Sequence, residues 1–196
     1  MRVLRIICCT VLVLALAATF ALACYTSVRQ GYSGKYSPLT TITDRSRHWL
    51  LEQFDHCETV PELLTEIDRF GCKNFVYETP RIQLVQNFWL DTFIFEDAFH
   101  GVCFDFSSFV KCAVLVWAEA HQREDVRAYV YHVRMPDNGG HSYNFIMEDG
   151  HTWFLCLTSN QTRTSQGKKS LGIIELKGET PTEYANRYNE FVMAIQ

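Results

Sequence analysis

The chain is 196 residues long and carries 22 acidic against 18 basic side chains, a formal net charge of −4. No basic cluster interrupts that balance, so nucleic acid is not an expected partner. Eight cysteines raise the question of a disulfide scaffold or a metal site, and their placement along the chain bears on it.

The first 23 residues read as a secretory signal peptide. Arg2 and Arg5 precede an uncharged apolar run from Ile6 to Ala23, and its end, Ala21-Leu22-Ala23, fits cleavage after Ala23. The run is also long enough to span a bilayer, so an uncleaved anchor is the alternative. Either way the domain is expected to be exported, extracellular or tethered to the outer side of a membrane. Cys24 follows Ala21-Leu22-Ala23 as the lipidated cysteine follows a bacterial lipobox, although Ala21 replaces the larger aliphatic residue usual there. A lipid on Cys24 would be a second route to the membrane. Cleavage leaves 173 residues at a net charge of −6, one domain with room for a real core.

Cys8 and Cys9 leave with the signal and Cys24 sits at the junction, so Cys57, Cys72, Cys103, Cys112 and Cys156 remain for the domain. Their irregular spacing matches no zinc pattern, and no metal or cofactor is expected. An odd count implies at least one free thiol. Cys57 and Cys72, on either side of one predicted helix, are the expected bridge in an oxidising compartment.

Residues 24–43, rich in Ser, Thr, Gly and Tyr, read as a spacer, and 44–196 as the domain. Asp44 is the expected N-cap of a helix through Phe54. Pro61 opens a second helix over PELLTEIDRF that Gly71 stops. Asn74 to Glu78 is strand-like and Pro80 breaks it; Arg81 to Glu96 is expected to be helical up to Trp89 and irregular beyond, with a loop over Glu96 to Gly101. After a central helix the pattern alternates. Strands are expected over Val126 to Met135, His141 to Glu148, His151 to Thr158 and Leu171 to Lys177, with a loop at Pro136 to Gly140. Asp149-Gly150 signals a tight hairpin, because both residues tolerate the positive φ of a type I′ turn. Pro181 then starts a final helix over TEYANRYNEFVMAIQ. Helices followed by an antiparallel sheet make an α+β domain.

The central helix carries the chemistry. In GVCFDFSSFVKCAVLVWAEA, Gly101 to Ala120, the residues Phe106, Phe109, Val110, Ala113, Trp117 and Ala120 recur at helical spacing on one face. Cys103 lies one turn before Phe106 on that face, at a helix start whose free N–H groups favour an anion. By itself a cysteine on an apolar face also reads as a small buried hydrophobe. A base is available downstream: His141 follows two glycines and opens a strand. His100, three residues before Cys103, is the reserve candidate.

GVCFDFSSF followed by HSYNFIMEDGHTWFLCLTS resembles the transglutaminase-like domain of the papain-like cysteine enzymes. That pattern is roughly G-x-C-x-D-[FY]-[AS], then H-[AS]-[WY]-[NV], a D-G turn, W and an Asp. Gly101, Cys103, Asp105, Phe106, Ser107, His141, Ser142, Tyr143, Asn144, Asp149, Gly150 and Trp153 fall in order, and the resemblance covers about Phe88 to Ser159. It implies a papain-like α+β fold, with the nucleophile at the start of a central helix packed on an antiparallel sheet. The implied activity is acyl chemistry on a peptide, isopeptide or amide of a peptide or protein substrate. Cys103 is the implied nucleophile and His141 the base, with the backbone N–H of Cys103 as one oxyanion donor. Asp105 is expected to cap the helix and Trp153 to pack beneath the hairpin.

The chain departs from the pattern at the residue that orients the histidine. Counted from the turn, the Asp position is Cys156; counted from Trp153, it is Leu157. If the strand runs on through Thr158, opposite His141, Asn160 comes next on that side, and its amide could hold the ring as an asparagine does in papain-like enzymes. Asn160 is therefore the expected third site residue, with no orienter at all as the rival. The missing Asp also supports an alternative function, a catalytically inactive domain that binds peptides or envelope polymers.

Overall fold

A computed structural model describes residues 42–78, 89–134 and 140–195; for 133, 134 and 189–195 only the backbone is described. The signal sequence, Cys24, most of the spacer and the stretches 79–88 and 135–139 lie outside the described residues. None of the described helices is long and apolar enough to cross a membrane.

Helix α1 spans Asp44–Phe54 and α2 spans Val60–Asn74. The N-cap of α1 is Thr43, whose Oγ1 accepts the Ser46 N–H at 3.1 Å, one residue earlier than expected. Thr59 and Glu62 close a reciprocal cap on α2, the two orphan donors of the first turn being satisfied together. The helix does not stop at Gly71. A Cβ there would lie 2.6–2.8 Å from three atoms of the Leu157 side chain, so this glycine is a close-packing site inside the helix. Cys57 and Cys72 therefore stand at opposite ends of an unbroken helix, roughly 20 Å apart at 1.5 Å per residue. A disulfide needs Cα atoms within about 7 Å; both cysteines are free thiols, and the expected bridge does not form.

Strand β1, Val76–Tyr77, pairs in parallel with β2, His100–Gly101. Between them come the short helix α3, Trp89–Asp91, and a π-helical turn over Thr92–Glu96, where an irregular stretch was expected. Helix α4, Cys103–Ala120, is the centre of the domain. Strands β3, Arg127–Arg134, β4, Gly140–Glu148, β5, His151–Leu155, and β6, Ile174–Glu175, form an antiparallel sheet in that order. Asp149 and Gly150 both have positive φ, 45° and 80°, as the hairpin turn requires. β5 ends three residues early, and the chain turns directly into α5, Leu157–Ser165. Helix α6, Pro181–Ile195, closes the chain.

The sheet separates two apolar clusters. Ala128, Ile146, Trp153 and Leu155 join the core that α1, α2 and α4 build, including Phe54, Ile67, Phe106, Phe109 and Trp117. On the other side Tyr143, Phe145, Phe154 and Cys156 pack against Tyr184, Ala185 and Tyr188 of α6. The α+β arrangement is present: helices first, then an antiparallel sheet against which the central helix lies.

Candidate active site

Three local devices bring Cys103 to the first position of α4. The extended Val102 (φ −113°, ψ 178°) precedes the helix, and its N–H donates to Asp105 Oδ2 at 2.8 Å. Asp105 Oδ1 accepts the Trp89 Nε1–H at 2.9 Å, so this buried carboxylate caps the helix rather than facing a substrate. Gly101 is the third device, because a Cβ there would lie 2.7 Å from Asp105 Oδ2. The Gly-x-Cys-x-Asp spacing thus has a structural cause. Ahead of it, Ala98 and Phe99 turn the chain through the left-handed region, at φ 47° and 66°. The Phe99 ring offsets that strain by packing against Phe70 and Phe75, with centroids 5.2 and 5.7 Å apart.

Asn144 ties β4 to this helix. Its Nδ2 donates to the carbonyl of Ser107 on α4 at 2.9 Å and to that of Tyr129 on β3 at 3.3 Å. With β4 so anchored, Cys103 Sγ lies 3.7 Å from the carbonyl of Gly140, the residue before His141, and Cys103 is among the groups that raise the His141 imidazole. Gly140 is needed for a second reason: a Cβ there would lie 2.6 Å from the ring of His132, whose Nδ1 is 2.8 Å from Ser142 Oγ. Burial and then the charge of His141 push the pKa of His132 down.

The other contact of His141 is a second thiol. Asn144 pairs with Leu155, so the next residue, Cys156, comes level with Tyr143, as the count from the turn has it. Cys156 Sγ is 3.3 Å from His141 Nε2, 3.2 Å from Ser159 Oγ, and is 1% exposed. Ser159 Oγ is in turn 2.8 Å from Tyr188 Oη on α6. Burial opposes the imidazolium, but the hydrogen bonds and charges of Cys103 and Cys156 outweigh it and hold His141 up at about 10, against an ordinary 6.5. Burial would raise the Cys156 thiol; His141, Ser159 and Tyr188 together bring it below its ordinary 9.0.

The structure places Asn160 elsewhere. It lies in α5, not on a continued strand, and its Nδ2 donates to Asp68 Oδ1 at 2.7 Å and to the Gly172 carbonyl at 3.1 Å, while its Oδ1 accepts the Leu171 N–H at 3.1 Å. Its amide pins α5 and the following loop to α2, and the imidazole nitrogen intended for it is taken by Cys156. Thr158 likewise sits in the first turn of α5. His100 is engaged by Glu78 at 2.7 Å, His151 by Glu175 at 2.7 Å, and Cys112 is buried in α4 with its thiol pushed up to about 12 by that burial. His132, Ser159 and Tyr188 had no signal in the sequence, since they reach the site only through the register of β3 and the docking of α6. Among the described residues no cluster of His, Cys, Asp and Glu suited to a metal ion occurs.

A cysteine at a helix start, set beside a histidine on an adjacent antiparallel strand, defines a thiol–imidazole site on an α+β frame. No family model and no curated protein matches the chain. Among solved structures it is similar to a proposed cysteine protease from Cytophaga hutchinsonii, at 16% identity and a TM-score of 0.42, over 67% of this chain and 42% of that one. The chain thus spans less than half the length of that structure.

Proposed function

We propose that the protein is an exported cysteine enzyme of transglutaminase-like type that hydrolyses peptide, isopeptide or side-chain amide bonds. The observation that carries the reading is the juxtaposition of Cys103, at the first position of α4 and 3.7 Å from the Gly140 carbonyl, with the next residue of β4, His141, a histidine held largely protonated below about pH 10. The sulfur attacks the substrate carbonyl, forming the C–S bond as the C=O π pair moves onto oxygen. The oxyanion is met by first-turn N–H groups of α4, beginning with that of Cys103. On collapse the C–N bond breaks and the amine departs with the proton of the His141 imidazolium. Water, deprotonated by the now neutral His141, then attacks the thioester; Cys103 leaves as the thiolate, and the imidazolium is restored. Tyr77, half exposed on β1, has its hydroxyl pKa raised by burial and then by the charges of Cys103 and Asp105. The groove lined by Tyr129, Tyr131, Phe145, Met147 and Pro181 offers apolar surface for a peptide's side chains.

Incubating the full chain with a peptidyl chloromethyl ketone tests this reading. A covalent adduct on Cys103 is expected, absent in Cys103→Ser and slowed about a hundred-fold or more in His141→Ala. A folded protein that forms no adduct would instead be a binding domain for peptides or envelope polymers, the reading the missing carboxylate favours. Export rests on the sequence of residues 1–23 and belongs to the same proposal. A secreted or membrane form beginning at or near Cys24 supports it, and an intact Met1 on a cytosolic protein refutes it.

A further inference from the structure

We infer that Cys156 is the positioning residue of His141, filling with sulfur the place where the family resemblance implies a carboxylate. The inference rests on the reading of Cys103 and His141 as a reacting pair. Its geometry stands independently. Cys156 Sγ lies 3.3 Å from His141 Nε2, within the reach of an N–H donating to sulfur, and the residue is 1% exposed. It is the N-cap of α5, a helix of 9 residues, and its side chain, which accepts no first-turn N–H, turns to the imidazole instead.

Behind it runs a buried chain of donors. Ser159 Oγ lies 3.2 Å from the sulfur and 2.8 Å from Tyr188 Oη. Burial and then the neighbouring Cys156 push the Tyr188 phenol up, so it stays protonated and has a proton to share with Ser159. The Cys156 thiol donates to Ser159 Oγ in this arrangement, and on loss of its proton the sulfur would accept from Ser159 and the imidazole together. With the imidazole and the Ser159 hydroxyl both in reach, a negative charge on this sulfur would be met from two sides. Cys156 holds the ring in one tautomer and orientation and supplies the negative charge that keeps it protonated. The groups facing His141 are Cys103 from α4, Cys156 from the β5–α5 junction and His132 from β3, with Tyr143 beside it on β4. Of these, Cys156 is the one whose thiol is brought below its ordinary value. A buried cysteine used for packing alone would need neither Ser159 nor Tyr188.

The test uses the full chain with Cys156→Ala, Cys156→Ser and Cys156→Asp. Two readouts are taken: the rate of Cys103 alkylation by iodoacetamide near pH 6, and the NMR titration midpoint of the His141 ring. Cys156→Ala is expected to slow alkylation by about ten-fold or more and to lower the ring midpoint by about one pH unit or more. Cys156→Asp, which restores a negative acceptor, is expected to recover both. Cys156→Ser keeps the size and the acceptor but loses the charge, and its midpoint is expected to fall even though its fold is undisturbed. A wild-type midpoint in folded Cys156→Ser overturns the inference, as does wild-type alkylation in folded Cys156→Ala. If Cys103 of the parent reacts no faster than in the unfolded chain, the proposed function fails, while a midpoint that drops in Cys156→Ser still establishes Cys156 as the residue that holds the ring.

Discussion

Replacing Asn160 by alanine removes the donor that faces the buried carboxylate of Asp68 at 2.7 Å and frees the Leu171 N–H and Gly172 carbonyl it holds. Ser170 remains on the other carboxylate oxygen at 3.0 Å. Asn160→Ala is therefore expected to cost roughly 1.5–3 kcal/mol, the range for a hydrogen bond to a charged group, read as a lower urea midpoint. In the folded fraction the alkylation rate of Cys103 should be unchanged. A stable Asn160→Ala protein with a slowed Cys103 would put Asn160 back on the imidazole. Residue types and spacing bring Cys103, His141, Asp105 and Asn144 to notice. The third member escapes because it depends on where a strand ends. Carrying the alternation of β5 past Leu155 puts Thr158 and Asn160 on the side of His141, whereas the count from the turn stops at Cys156. A thiol is easily passed over there, because the groups that bring it below its ordinary value, His141, Ser159 and Tyr188, meet it only in the fold.

At the scale of elements, the early end of β5 and the continuation of α2 through Gly71 have one cause. Leu157 must lie against α2, and only a glycine leaves room for it: a Cβ on residue 71 would meet Leu157 Cγ at 2.8 Å and both δ carbons more closely. Gly71→Ala would gain about 1 kcal/mol of helix propensity. Against this, Leu157 is fully buried and has nowhere to turn, and overpacking costs about 1–3 kcal/mol. The net effect is expected to be a loss of stability, visible as a lowered melting temperature. In a Leu157→Ala background the same substitution should become neutral or stabilising, and a destabilisation of equal size in both backgrounds would show that this contact is not its source. A glycine after a helical pattern reads as a stop, and the reason for continuing lies 86 residues away in the sequence. The bridge expected between Cys57 and Cys72 fails on simpler grounds, since two residues that bracket a helix are held apart by its length. The hairpin, by contrast, was fully legible, because its turn chemistry is local.

For the molecule as a whole, pH couples the site to folding. His141, held up at about 10 against 6.5, contributes stability that is complete below about 6.5 and lost as the pH rises toward 10. Cys156, lowered from 9.0, contributes in the opposite sense: its share is lost as the pH falls through the lowered value and is complete above 9.0. Between these limits the two slopes oppose one another, because the folded pair has in effect moved a proton from sulfur to nitrogen. Above pH 9 the loss from His141 is joined by one from Cys112, whose buried thiol, raised from 9.0 to about 12, is stabilising only while protonated, and burial of Lys111, which lowers its pKa from 10.5, works against them up to that value. The melting temperature is expected to change little from pH 7 to 9 and to fall steeply beyond. In His141→Ala the fall should begin later and be shallower; if His141→Ala and the parent superimpose from pH 8 to 10.5, the imidazole is not held as described. The order of helices and strands was readable from periodicity. The docking of α6 on the second face of the sheet was not, since nothing in its own pattern says that Tyr188 meets Ser159.

Seen as a question of symmetry, one imidazole flanked by cysteines at two helix starts has no built-in nucleophile. What separates Cys103 from Cys156 is what lies over them: both are buried, but Cys156, 1% exposed, is sealed beneath Tyr143, Phe154, Tyr184 and Tyr188, while Cys103, 6% exposed, lies outside that cluster. The choice between attacking atom and silent partner is thus made by packing, and the aromatic side chains of α6 assign the chemistry of a site they stand behind.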